Sequence, residues 1–223
     1  MNRYSSLLSL STFSKDKLNI LNKKKILIIG VGGVGQHLST YLITNGIKDL
    51  TIIDYDKVEI SNLNRQILLS EEDIGKYKVD VVKKALKAKN KEANITSINM
   101  KVDENNIKEI IKDYDVVIDA VDNWKSKLLI SKAVKEKNIP LLHVGVDGIR
   151  GQYCLFKNAS LLDIVDEDII SSPRDGVMGP MVGLISSMAA LHLLRYLINE
   201  IDEIDYLYHY DQTTNIVGKM KIK

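Results

Sequence analysis

The sequence predicts an α/β fold, a mostly parallel sheet with helices on both faces. Three observations predict it. Short apolar runs alternate with amphipathic stretches through the first half of the chain, the pattern of βαβ units. A glycine-rich turn, Gly30, Gly32, Gly33 and Gly35, follows the first apolar run at once. The next apolar run ends on an acid, Asp54, at about the 20-residue spacing of a Rossmann-like nucleotide-binding start.

The elements follow in order. Residues 1–24 read as one or two short helices, a helical extension with an apolar patch at Leu7, Leu8, Leu10 and Phe13. Ile26 to Ile29 is too short for a membrane span and right for a buried strand. The spacing predicts a helix from Val34 to Thr44, stopped by Asn45-Gly46, and a strand from Leu50 to Ile53. Asp54 to Ser70 is a polar loop, far longer than a minimal turn. A helix over Lys76 to Lys89, a strand over Ala93 to Val102 and a short helix over Glu104 to Lys112 come next. Val116 to Ile118 is a third buried strand, ending at Asp119-Ala-Val-Asp122-Asn123, and Asn123 to Glu136 is a helix. Strands are predicted over Leu141 to Val146 and Arg150 to Phe156. An acid-rich loop runs from Lys157 to Asp175, with Asp163, Asp166, Glu167 and Asp168. A long apolar helix follows it, and the tail reads as a strand pair around Asp211 to Asn215.

Length and composition bound the function. The 223 residues suit a single domain spanning 1–223. Charges of both signs are interspersed at a net +2, and aromatics are few; nothing points to nucleic acid. Cys154 is the sole cysteine, which rules out an internal disulfide and a zinc site of CxxC pairs and accords with a cytoplasmic location. The N-terminus lacks the apolar core of a signal peptide. No acid, lysine or arginine lies between Asp175 and Arg195, long enough to suggest a membrane span. Pro180, Ser186, Ser187 and His192 within it argue for a buried helix instead. Gly179, Gly183 and Ser187 recur every four residues, so one side can pack closely on a sheet or a partner helix.

Chemistry gathers where strands should end. Small residues let the backbone approach phosphates, and amides at a helix N-terminus favour negative charge. Asp54 can take ribose hydroxyls. Arg65 and Lys78 follow it, and Asp122-Asn123 stands after the strand at Val116. In an open parallel sheet ligands bind at the carboxyl ends of strands. Two cations and a second acid suit ATP with magnesium better than NAD. Taken singly, Arg65 and Lys78 read more often as solvated surface charges and gain weight only from the shared pattern; Asp122 also reads as a cap for the helix that Asn123 starts, a role that can coexist with the other. His143 and His192 lie in apolar text and read as core residues; Trp124 can flank an adenine or simply pack; Arg150 suits a substrate carboxylate or a strand-end ion pair.

In combination GVGGVG, IIDYDKVEISNLNRQ, DIGKYKVD, DAVDN, GQYCLF and GVMGPMVG resemble the ThiF/MoeB/HesA family and the adenylation domains of ubiquitin-activating enzymes. The resemblance implies a Rossmann-like ThiF/MoeB-type sheet, a homodimer and adenylation of a carboxylate by Mg-ATP, usually the C-terminal glycine of a ubiquitin-like sulfur-carrier protein. By position it implies that Gly30, Gly32, Gly33, Gly35 and Asp54 hold the nucleotide, and that Ser61, Asn62 and Arg65 line the triphosphate. Arg65 and Lys78 would neutralise the phosphates as pyrophosphate leaves, and Asp122 would hold magnesium with Asn123 beside it.

Three departures stand out. The family's N-terminal RYSRQ is RYSSLLSL here, with Ser6 in the place of its second arginine and Arg3 matching only the first. The paired CxxC zinc motifs are missing. So is the loop cysteine of members that pass the acyl group to sulfur, for Lys157 to Asp175 holds none, with Ser171 and Ser172 in that stretch. A small-molecule or peptide carboxylate is therefore the alternative substrate; the pyridinol carboxylate of the iron-guanylylpyridinol cofactor is one example. An NAD-binding oxidoreductase or sensor, and a scaffold that only binds nucleotide, are the competing classes.

Overall fold

Lys25–Ile29 forms the central strand, β1, and its side chains alternate between two cores. Ile26 and Ile28 enter one, Leu27 and Ile29 the other, all with almost no exposure. This two-sided burial is why the strand reads as an unbroken apolar run. The computed structural model describes residues 2–166 and 176–222; Glu167, Asp168, Ser171, Ser172 and Asp175, singled out above, lie outside the described residues.

A glycine turn leads from β1 into helix α3 (Gly33–Thr44), after two short N-terminal helices, α1 (Ser5–Leu8) and α2 (Lys15–Asn22). Ser14 caps α2 with its side chain, and Leu18 and Leu21 anchor it in the core. Strand β2 (Asp49–Asp54), helix α4 (Lys78–Lys89) and strand β3 (Asn94–Asn99) build outward on one side of β1. After helix α5 (Ile107–Ile110) the chain returns to the other side of β1 as β4 (Val116–Asp119), then α6 (Trp124–Glu136) and β5 (Leu141–Asp147). These five strands are parallel. Strand β6 (Arg150–Phe156) turns back antiparallel on β5, and β7 (Tyr206–Asp211) and β8 (Ile216–Lys221) continue antiparallel. The order is β3-β2-β1-β4-β5-β6-β7-β8. The direction of winding switches between β1 and β4, so a crevice opens beyond their carboxyl ends.

The cores divide the helices. α3, α4 and helix α7 (Gly179–Leu197) cover one face; α5 and α6 cover the other. The buried-helix reading of the apolar segment holds, with Ile185, Ala189 and Leu193 in the core. Its small-residue side is used within the chain. A Cβ on Gly179 would stand 2.5 Å from the Asn64 carbonyl oxygen, Gly183 faces His37, and the Ser187 hydroxyl meets Tyr41. That side therefore docks on α3 and on the loop between β2 and α4, leaving Leu184 and Leu191 on the exposed side.

Four boundaries differ from expectation. α4 begins at Lys78 because Lys76 and Tyr77 are extended, paired with the chain at Lys57 and Val58. β3 ends at Asn99, and the partly exposed Met100 faces the crevice instead of serving as a strand contact. α5 is only one turn. The start of α6 is capped by Asn123, whose side chain accepts the Ser126 N–H at 2.9 Å, so the cap is not Asp122.

Candidate active site

Two glycines make the turn after β1. Gly30 has φ +95°, and a Cβ there would lie 2.7 Å from the Ala120 carbonyl oxygen; a Cβ on Gly35 would lie 2.1 Å from the Gly30 carbonyl oxygen. The turn thus folds onto β4 and onto its own helix without side chains between. Gly35 is packing, below the surface of the crevice. All the other nucleotide-site residues inferred from sequence line one cavity of about 1120 Å³: Gly30, Gly32, Gly33, Asp54, Ser61, Asn62, Arg65, Lys78, Asp122 and Asn123.

Asp54 ends β2 with both oxygens engaged. One accepts the Val31 N–H at 2.8 Å, the other the Asp56 N–H at 2.8 Å. Burial raises its pKa, and the two amides and Lys78 oppose that rise. Each carboxylate oxygen keeps a further lone pair for a ribose hydroxyl. Next to it Lys78, almost fully buried, donates to Asp56 Oδ2 at 2.8 Å, while its own N–H bonds the Asp56 carbonyl oxygen. The loop beyond is held by reciprocal bonds between Glu59 and Asn62. It carries Arg65, whose guanidinium donates to the Ser61 carbonyl oxygen and Asn64 Oδ1, each at 2.9 Å. Gln36 ties this loop to the glycine turn: its amide donates to Val31 O and Gln66 Oε1 and accepts the Leu68 N–H.

The far wall is polar beneath the surface. Asp119, wholly buried, accepts Lys127 Nζ at 3.1 Å on each oxygen and His143 Nδ1 at 2.8 Å on one. Burial alone would raise the Asp119 pKa, but Lys127 and His143 outweigh it and the carboxyl stays ionised. Burial, with Lys127 adding to it, lowers the pKa of His143 and keeps the ring neutral. Trp124 packs on His143 with ring centroids 6.4 Å apart, and it also lines the cavity.

Three residues set aside by the sequence reading find places. Arg150 pairs with Asp211 at 2.7 Å across β6 and β7, the strand-end ion pair. Arg3 donates to the Lys89 carbonyl oxygen at the end of α4. Cys154 is fully buried, and burial pushes its thiol far above the ordinary range. Sequence reasoning missed Asp56, although it stands two residues after Asp54 in the same motif. It also missed the Asp119–Lys127–His143 cluster. There the signal is the β4–β5 register, which sets Asp119 opposite His143 and which no local pattern encodes.

A glycine turn at a helix start, an acid at the next strand end, two cations on the following loop and helix, and an acid across the crevice define a nucleotide-binding α/β domain. The ThiF family profile matches residues 4–223, and the chain belongs to that family. It is 31% identical over 200 residues to a protein of Haemophilus influenzae named molybdopterin-synthase adenylyltransferase, covering 86% of this chain and 82% of that one. A protein of Haloferax volcanii named SAMP-activating enzyme E1 is 26% identical, over 92% of this chain and 78% of its own. Among solved structures, the microcin C7 biosynthetic enzyme MccB in complex with N-formylated MccA superposes with a TM-score of 0.90 at 19% identity, covering 99% of this chain and 72% of that one. E. coli MccB with ATP gives 0.87 at 20% identity, covering 99% and 72%.

Proposed function

We propose that this protein is an ATP-dependent adenylyltransferase that activates a carboxylate as an acyl-adenylate. A carboxylate oxygen attacks the α-phosphorus of ATP, the bond to the bridging oxygen breaks, and pyrophosphate leaves with the electron pair. Both reactants are anionic, so positioning and fixed positive charge carry the catalysis and no general base is needed. Arg65 and Lys78 are the cations, Asp54 holds the ribose, and Gly30, Gly32 and Gly33 bring backbone to the phosphates. Asp122 suits magnesium, which takes one or two carboxylate oxygens together with phosphate oxygens; when bound it supplies charge neutralisation to the phosphates. Asn123 stays with the helix it caps. The reading includes no structural zinc and places the reaction in the cytoplasm, where Mg-ATP is available.

The substrate we favour is the C-terminal glycine of a ubiquitin-like sulfur-carrier protein, on the strength of relatives named for molybdopterin-synthase and SAMP activation. The observation that carries the reading is the gathering of Asp54, Lys78, Arg65 and Asp122 around one cavity of about 1120 Å³. That exceeds the roughly 300–1000 Å³ of an ordinary small-molecule site and accommodates a second reactant beside the nucleotide. Calorimetric titration tests the reading: Mg-ATP should bind more tightly than NAD, and the reverse order would sink it.

A further inference from the structure

We propose that Gln152 is a specificity-determining residue that accepts a hydrogen bond from the last amide N–H of a peptide-type substrate, and that the buried Asp119–His143 pair sets its orientation. This rests on the adenylation reading above and narrows the substrate class within it.

The argument runs outward from Asp119. Lys127 donates to both oxygens of this carboxylate, the one facing His143 included, and holds it ionised, so it has no proton to give. The His143 nitrogen facing it at 2.8 Å, Nδ1, must therefore be the donor. A neutral imidazole carries one proton, so Nε2 is an acceptor. The polar atom next to Nε2 belongs to Gln152, 3.4 Å away. Only the NH₂ end of that amide can donate to it, so the carbonyl end is turned elsewhere. Among the described residues Gln152 Oε1 accepts no hydrogen bond.

The sheet register says where that oxygen is of use. Gln152 on β6 stands opposite Gly145 on β5, two residues beyond His143 and on the same face. A Cβ on Gly145 would sit 3.6 Å from Gln152 Cγ and 3.8 Å from His143 Nε2. Both Gly145 and Gln152 line the cavity, on β5 and β6, two and three strands across the sheet from β1 and its glycine turn. A chain lying over Gly145 with its carboxylate toward the nucleotide passes a fixed acceptor. The matching group is an N–H, which every peptide C-terminus except one ending in proline carries next to its last residue. An aromatic carboxylate has none at that place.

The test compares two synthetic peptides ending in Gly-Gly, one with a normal last amide and one with that amide replaced by an ester. Substrate-dependent exchange of pyrophosphate into ATP is the assay. In the wild type the ester should raise KM about tenfold, the scale of one lost hydrogen bond, with kcat little changed. Gln152→Leu should raise KM for the amide to the ester's value and leave the ester unaffected; Gln152→Met serves if the leucine variant misfolds. Equal KM for both peptides in the wild type, or discrimination that survives in the variant, overturns the proposal. Exchange with neither peptide while Mg-ATP still binds also overturns it and leaves the adenylation reading standing; absence of Mg-ATP binding fails that reading itself. Independently, ¹⁵N NMR of the histidines should find His143 protonated at Nδ1, and protonation at Nε2 would overturn the orientation argument.

Discussion

At the scale of single residues, the cavity wall presents charged side chains, and other candidates lie packed away from it. Lys78 and Arg65 are the two cations presented from consecutive elements, each oriented by oxygen acceptors of its own loop. Replacing either by alanine should lower pyrophosphate exchange by roughly 100-fold, the scale of one lost charge stabiliser in a transition state. Cys154 is the contrasting case. Its thiolate is disfavoured by burial, and an acyl-thioester needs an accessible thiolate. Cys154→Ala should therefore leave exchange nearly intact; loss of exchange in a folded variant, or a covalent adduct at Cys154 in mass spectrometry, would contradict this. The placement of Arg65 and Lys78 at one cavity was legible in the sequence because they sit in contiguous motifs. Asp56 and Gln152 were not given roles, because each depends on a partner brought close by the fold.

At the scale of elements, β4, β5 and α6 meet around the Asp119–Lys127–His143 cluster, and its titration should mark the stability of the sheet. His143 is neutral when folded, its pKa lowered from 6.5 by burial and then by Lys127. Between that lowered value and 6.5 the unfolded chain binds more protons, so stability falls as the pH drops below 6.5. His192, lowered chiefly by burial, acts in the same direction. Asp119 contributes at lower pH: its depressed folded pKa gives stability present above 3.8 and lost as pH falls through the folded value. The melting temperature should thus decline from about pH 7 to about pH 5, and His143→Asn should flatten part of that slope; an unchanged slope would acquit His143. Periodicity located every one of these elements, since each buries a run or stripe. The ends were harder to read. The extended Lys76–Tyr77 pair and the short β3 come from backbone pairing with distant segments.

At the scale of the whole molecule, the alternation of the first half foretold the parallel sheet, while the second half read only as mixed. Strand β6 pairs with β7 through long-range register, Gln152 opposite His209, and Asp205 binds the β6 exit by accepting the N–H groups of Lys157 and Ala159; no short window of sequence contains such contacts. A homodimer is expected from the family, but the small-residue side of α7 is spent on α3 within the chain. The contact would instead draw on the exposed Leu184 and Leu191, which lie seven residues apart on one side of the helix. Light scattering at micromolar concentration should give twice the chain mass, and Leu191→Glu should shift it toward the monomer. A monomer in the wild type would count against the expectation.

The Lys78–Asp56 pair has a consequence for the turnover cycle. Lys78 is 8% exposed in its side chain and Asp56 49%, so the carboxylate is the partner able to step aside into water. On the role proposed for Lys78, a triphosphate would enter by anion exchange, one negative group replacing another, with the displaced carboxylate tethered close enough to return. Its return would then compete with pyrophosphate for the same ammonium group and hasten product departure. Asp56→Asn should tighten ATP binding about fivefold, within the range of a partly exposed ion pair, and should make pyrophosphate a stronger inhibitor. Weaker ATP binding in that variant would mean that Asp56 serves to aim Lys78 and has no part in clearing the site.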